Sequence, residues 1–185
     1  MLLDHDQAMR FIEGYKLVLL QVLKTVGENP SEGLLNALAK ARHYLQKEPQ
    51  LLMAAIESLA AEGRVLEENI EKALHSLRIG RWFYLRSTTK YAIMLDEKYE
   101  NAYAVKALTT SIDDLIGGGA ALIEVAIFEY DGMFVCDGLI TNIAYLGANM
   151  CAEMDEAYRM LKAKGRFHKR CALIAGLYNV ELSKK

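Results

Sequence analysis

The sequence predicts an α+β fold: an N-terminal helical region, residues 1–80, packed on a small five-stranded antiparallel, barrel-like sheet with a C-terminal helix, residues 81–185. Three observations carry this. Through Gly80, apolar residues recur every three or four positions, the period of one helix face. At Arg81 the character changes: WFYLRSTTKYAIMLD alternates apolar and polar residues and is rich in aromatic and β-branched types. Further on, Asp131-Gly132 joins two alternating apolar runs, LIEVAIFEY and MFVCDGLI, which is a strong local hairpin signal.

The first helix is read from Phe11, Tyr15, Val18, Leu19, Val22 and Val26, and Gly27-Glu28-Asn29-Pro30 stops it. Leu17, Leu20 and Leu23 widen its stripe to most of the circumference, which implies deep burial or self-association. Ser31 has the chemistry of an N-cap for a second helix through Leu34, Leu38, Ala41 and Leu45, broken by Pro49. A third helix runs through Leu52, Ile56 and Leu59 to Gly63, and a fourth through Leu66, Ile70, Ala73, Leu74 and Leu77 to Gly80. Short connections make the second to fourth helices antiparallel neighbours.

The expected strands are Trp82–Ser87, Lys90–Leu95 and Ala102–Leu108, followed by the two arms of the hairpin. Ser111 and its neighbours offer caps for a helical turn, Ile112–Ile116, and Gly117-Gly118-Gly119 reads as a flexible connection. A two-residue turn at Asp131-Gly132 needs positive φ at both positions and fixes the register. Tyr130 then faces Met133, Ile127 faces Cys136, and Ile123, Val125, Ile127, Cys136 and Ile140 share the core face. Asp137 falls on the other face opposite Ala126, with Glu124 diagonal to it opposite Leu139. Asn149 is the expected cap of a helix Met150–Lys164, whose early acids and late bases suit the helix dipole. Gly165 ends it, and a short helix through Leu173 and Leu177 is expected in the tail.

Composition excludes several classes. At 185 residues, 52% apolar and 25% charged, the chain is an ordinary globular domain, or a domain and a half, with a real core. A net charge of −2 exerts no general pull on nucleic acid or an anionic membrane. Cys136, Cys151 and Cys171 are odd in number and lack a Cys-x-x-Cys spacing, which fits a reducing compartment. The acidic MLLDHDQAMR start lacks the form of a signal peptide, and YKLVLLQVL is far shorter than the ~20 residues that span a bilayer. The expected location is the cytoplasm, with no membrane association.

The second half resembles a widespread group of uncharacterised bacterial and archaeal proteins. The likeness rests on RWFYLRSTTKYAIMLDEKYENAYAVKALTTSIDDLI, IEVAIFEYDGMFVCDGLI and LGANMCAEMDEAYRMLKAKG. That group shares an aromatic-basic strand, a K-x-A-I-x-L-D strand, a Y-x-V-x-x-L-T strand and a hairpin ending in Y-D-G-L-I. Here Cys136 stands where an aromatic residue is usual before Asp137-Gly138-Leu139. The resemblance implies continuity of fold and carries no activity, so no catalytic residue transfers from it.

Candidate chemistry is sparse. Asp137-Gly138 is either a ligand-facing carboxylate with a close-approach glycine or a bulge with a capping aspartate. Glu124 and Asp137 together are a possible acid–base pair, though no third group orients them. Arg81, Tyr84, Arg86 and Lys90, with Trp82, mix cations and stacking faces as single-strand nucleic-acid binders do. A basic run, Lys162, Lys164, Arg166, His168, Lys169 and Arg170, adds to that surface. The slightly acidic chain favours packed aromatics and solvated charges instead. His5, His43, His75 and His168 are scattered, so no metal site is expected, and neither a nucleophile motif nor a phosphate loop is present. No cofactor is implied. The expected function is a non-enzymatic binding or interaction protein, with a homo-oligomer or an unidentified protein as partner. The alternatives are a small-molecule enzyme or ligand binder using Asp137, Gly138 and Glu124, and a nucleic-acid module through Arg81–Lys90.

Overall fold

The computed structural model describes residues 2–29 and 33–171. Four helices come first: α1 (His5–Thr25), α2 (Leu34–Lys47), α3 (Gln50–Ala61) and α4 (Glu68–His75). Asp4 caps α1 by accepting from the amides of Asp6 and Gln7. The proposed cap Ser31 lies outside the described residues; Gly33 stands at the N-cap position of α2. Strands β1 (Arg78–Ser87), β2 (Ala92–Asp96) and β3 (Ala102–Ala107) follow. β1 starts three residues before the expected boundary at Arg81, and Gly80 lies inside it rather than ending a helix. Next come α5 (Ile112–Ile116), β4 (Ala121–Tyr130), β5 (Met133–Cys136), β6 (Thr141–Tyr145), α6 (Ala148–Ala163) and a two-residue β7 (Phe167–His168). Asn149 sits inside α6 and Gly147 takes the cap position. The tail helix expected through Leu173 and Leu177 lies outside the described residues.

The strands close into a five-membered barrel in the order β1-β2-β3-β5-β4, with β4 returning to β1. β6 continues along the edge of β4 that β5 leaves, and β7 pairs with β3. The expected sheet was antiparallel throughout; β3 and β5 are in fact parallel. The reason is parity. Neighbours that alternate in direction cannot close a ring of five, so one pair must run parallel, and it falls at the seam where the β4–β5 hairpin meets β3. The hairpin has the expected register, Tyr130 to Met133 and Ile127 to Cys136. Asp131 and Gly132 both have positive φ, 48° and 73°.

Three apolar clusters divide the molecule. The barrel interior holds Trp82, Tyr84, Met94, Tyr103, Val105, Ile123, Val125, Ile127, Phe134 and Cys136, with Ile112 and Ile116 of α5 against them. The α6 residues Met154, Tyr158 and Leu161 cover Phe83, Leu85, Ile93 and Leu95 on the outer face. The helical layer packs on another outer face, where Phe11 stacks on Phe128 at 4.0 Å. α1 is the hub: α2, α3 and α4 all contact it, and most of its broad apolar circumference is buried in that packing. Gly14 of α1 lies so close to α4 that an added Cβ would come within 2.8 Å of Ile70 Cγ2.

Tyr84 supplies a test of the barrel interior. Its hydroxyl donates to Asp113 at 2.9 Å and lies 2.8 Å from Ser87 Oγ. Burial, followed by Asp113, pushes its pKa up to about 12. The folded state thus holds this proton more tightly than the unfolded chain, whose tyrosines ionise near pH 10. Tyr84's contribution is complete below pH 10 and is lost as pH rises through about 12. Tyrosinate absorbance should show a late-titrating fraction that shrinks in Tyr84→Phe; an unchanged titration would contradict this burial.

Candidate functional site

The site forms where the helical layer meets the end of β5. After Cys136 the ladder to β4 breaks, although the Asp137 amide still donates to the Ala126 carbonyl at 3.0 Å. Gly138 takes φ 74°, a region a glycine enters without steric cost. Pairing with β4 resumes only at Thr141, which faces Glu124. The expected register carried past Gly138 is therefore two residues out: Glu124 lies opposite Thr141, not Leu139. Glu124 accepts from Asn142 Nδ2 at 2.8 Å, and among the described residues no hydrogen bond joins it to Asp137.

Asp137 faces away from the barrel interior but is not in solvent. It meets Arg42 of α2, and their side chains retain 0% and 2% exposure. Asp137 Oδ1 accepts from the amides of Ala126 and Leu139, both at 3.2 Å, and from Arg42 Nη1 at 3.3 Å. Oδ2 accepts from Arg42 Nη1 at 3.2 Å and from the Tyr15 hydroxyl at 3.4 Å. Arg42 Nη1 also donates to the Leu139 carbonyl, and Nη2 donates to Thr141 Oγ1 at 3.1 Å. The guanidinium thus grips the bulge at three points: a carboxylate, a carbonyl and a hydroxyl.

Burial pushes the Asp137 carboxyl above its usual range, while Arg42 and the two amides pull it back. The Tyr15 phenol is pushed well up, first by burial and then by the Asp137 charge. Burial likewise raises the Cys136 thiol, which makes it a poor nucleophile.

Sequence reasoning missed Arg42 and Tyr15 as partners of Asp137. The signal for Arg42 was present: it stands four residues after Leu38 and three before Leu45, a cation inside an apolar stripe.

Beside the pair lies a cleft of about 190 Å³. α1 contributes Ile12, Tyr15, Lys16 and Leu19, and α2 contributes Leu35 and Leu38. The exit of β3 supplies Leu108, Thr109 and Thr110; Leu115 of α5 and the Asp137-Gly138-Leu139 bulge close the remaining side.

The four residues of the expected nucleic-acid surface do not share a face. Tyr84 is buried in the barrel interior with Trp82, whose Nε1 has no hydrogen-bond partner among the described residues. Arg81 pairs with Glu97, and Arg86 pairs with Asp155 while lying over the Tyr158 ring. Lys90 is exposed in the turn before β2. Within the basic run, Arg166 donates to the Glu100 carbonyl and His168 lies 3.0 Å from Asn101 Oδ1. Among the described residues no three His, Cys, Asp or Glu side chains gather as a metal site requires. No helix of the described residues is long and apolar enough to cross a membrane.

The chain matches no family model, and neither a curated protein nor a solved structure shows significant similarity to it.

Removing one member of the buried pair should be costly, because the other charge stays buried without its partner. Arg42→Met and Asp137→Asn should each lose about 3–5 kcal/mol in urea unfolding. The double variant should lose clearly less than the sum. Arg42→Met also carries a pH signature. Without the guanidinium the folded carboxyl rises further above its unfolded value, so stability persists at low pH and falls as pH rises through the folded pKa. A stability deficit that does not grow as pH rises above the ordinary carboxyl range would contradict the coupling.

Proposed function

We propose that this chain is a non-enzymatic binding protein whose cleft between α1, α2 and the Asp137 bulge receives a small, largely apolar molecule. One observation carries this reading: among the described residues, the only acidic one lining this aliphatic cleft is a carboxylate already engaged at both oxygens. Proton transfer needs a group that can reach a substrate and change its bonding. Asp137 is tied to Arg42, Tyr15 and two amides, so it is better suited to shaping the wall than to chemistry. The walls are Ile12, Leu19, Leu35, Leu38, Leu108, Leu115 and Leu139. Apolar cavities of about 150 Å³ are known to take a molecule the size of benzene, so about 190 Å³ accommodates a ligand slightly larger.

The test is an NMR titration of the methyl-labelled full chain with 1-hexanol. Saturable shifts confined to methyls of Leu19, Leu38, Leu108 and Leu115 are expected. Leu115 is 40% exposed and borders the cleft, so Leu115→Trp can extend across the opening without crushing the core. That variant should keep its melting temperature and weaken binding at least about tenfold, a cost of about 1.4 kcal/mol. Shifts scattered over the surface, or none, would remove the reading.

A further inference from the structure

The polar groups at the cleft name the class of ligand. Apart from Tyr15 and the engaged Asp137, its polar lining side chains are Lys16, Thr109 and Thr110. The Lys16 ammonium is held by exposed Glu13, at 2.8 and 2.6 Å to its two oxygens. Such a surface pair contributes little and exchanges readily for another carboxylate. Thr109 and Thr110 are exposed, and their hydroxyls have no protein partner among the described residues. The lining thus offers one cation and two hydroxyl donors, and its one carboxylate has no oxygen to spare. A negatively charged headgroup meets the Lys16 ammonium and accepts from both hydroxyls; a protonated amine can donate to the hydroxyls but meets the ammonium with like charge.

We infer that the occupant is a short aliphatic monocarboxylate, its chain among the leucines and its carboxylate at Lys16, Thr109 and Thr110. This rests on the reading of the cleft as a binding site. The volume of about 190 Å³ suits a chain of about six carbons. Glu13 acts as an intramolecular competitor that occupies the ammonium when the cleft is empty.

Sodium hexanoate, 1-hexanol and hexylamine are titrated into the full chain and followed by methyl NMR. Hexanoate should bind at about millimolar or tighter, a reasonable ceiling for eight heavy atoms. It should exceed hexanol about fivefold and lose that margin in 0.5 M salt, as an exposed charge contact does. Lys16→Met keeps the apolar stem and removes the charge, so hexanoate should weaken about fivefold and its margin over hexanol should vanish. Glu13→Gln should tighten hexanoate about twofold, a gain that a merely structural Lys16 would not give. Equal binding of hexanoate and hexanol, a preference for hexylamine, or indifference to Lys16→Met would overturn the carboxylate assignment while leaving the cleft as a binding site. Failure of all three probes to shift the cleft methyls would overturn both.

Discussion

The buried Arg42–Asp137 pair is the constraint on which the arrangement of helices over barrel depends. Asp137 Oδ1 accepts the Ala126 amide, a bond a backbone carbonyl would have made had the ladder continued. The same carboxylate accepts from Arg42, the charged member of the apolar stripe of α2. Where the hairpin leaves its partner and where α2 docks are thus set by one group. A buried ion pair recovers little beyond the cost of taking two charges out of water. Its value is positional: guanidinium and carboxylate must meet at defined angles, whereas leucines tolerate sliding. The bonds to the Leu139 carbonyl and Thr141 extend that control to both sides of Gly138.

Closure of the barrel imposes the second constraint. A five-membered ring needs one parallel pair, and parallel neighbours need a long connection. The connection from β3 to its parallel neighbour β5 runs through α5, Gly117-Gly118-Gly119 and β4, which lies beside β1. α5 is not a mere spacer, since Ile112 and Ile116 pack on the interior cluster and Leu115 borders the cleft. One short helix therefore serves both closure and cleft.

Much of this was legible. The 3.6-residue period found α1, and of the two meanings its nearly circumferential apolarity allowed, self-association or deep burial, the packing of α1 between three helices and the barrel accounts for the second. The Asp-Gly turn gave the hairpin, its register up to Cys136 and the inward face through Ile123, Val125 and Ile127. Legibility ended at Gly138, where a positive φ breaks the two-residue alternation and no pattern says where pairing resumes. β6 was missed because its Asn142–Tyr145 stretch is exposed and pairs with β4 alone, so no buried face imposes alternation. Asp137 was singled out correctly as unusual, but its partners lie 95 and 122 residues away, and nothing local in a sequence points that far. Tyr84 and Trp82 are packed in the barrel interior, the reading the slightly acidic chain favoured over a stacking platform, although alternation does not say which face turns inward once both faces are apolar.

The cleft is a consequence of the same break. A strand that continued through residues 137–140 would have laid alternate side chains flat against the helices and left no gap. The bulge instead turns the chain at Gly138 and sets Leu139 at the side of the space bounded by α1, α2 and α5. Arg42 and Asp137 then neutralise one another beneath it, so the wall presents aliphatic surface with no net charge from the pair. Here the polar groups free to bond stand among the lining at Thr109 and Thr110, with Lys16 loosely held by Glu13. An apolar wall with a few polar groups beside it is the kind of lining that small-molecule sites share, and the proposed binding role rests on that likeness.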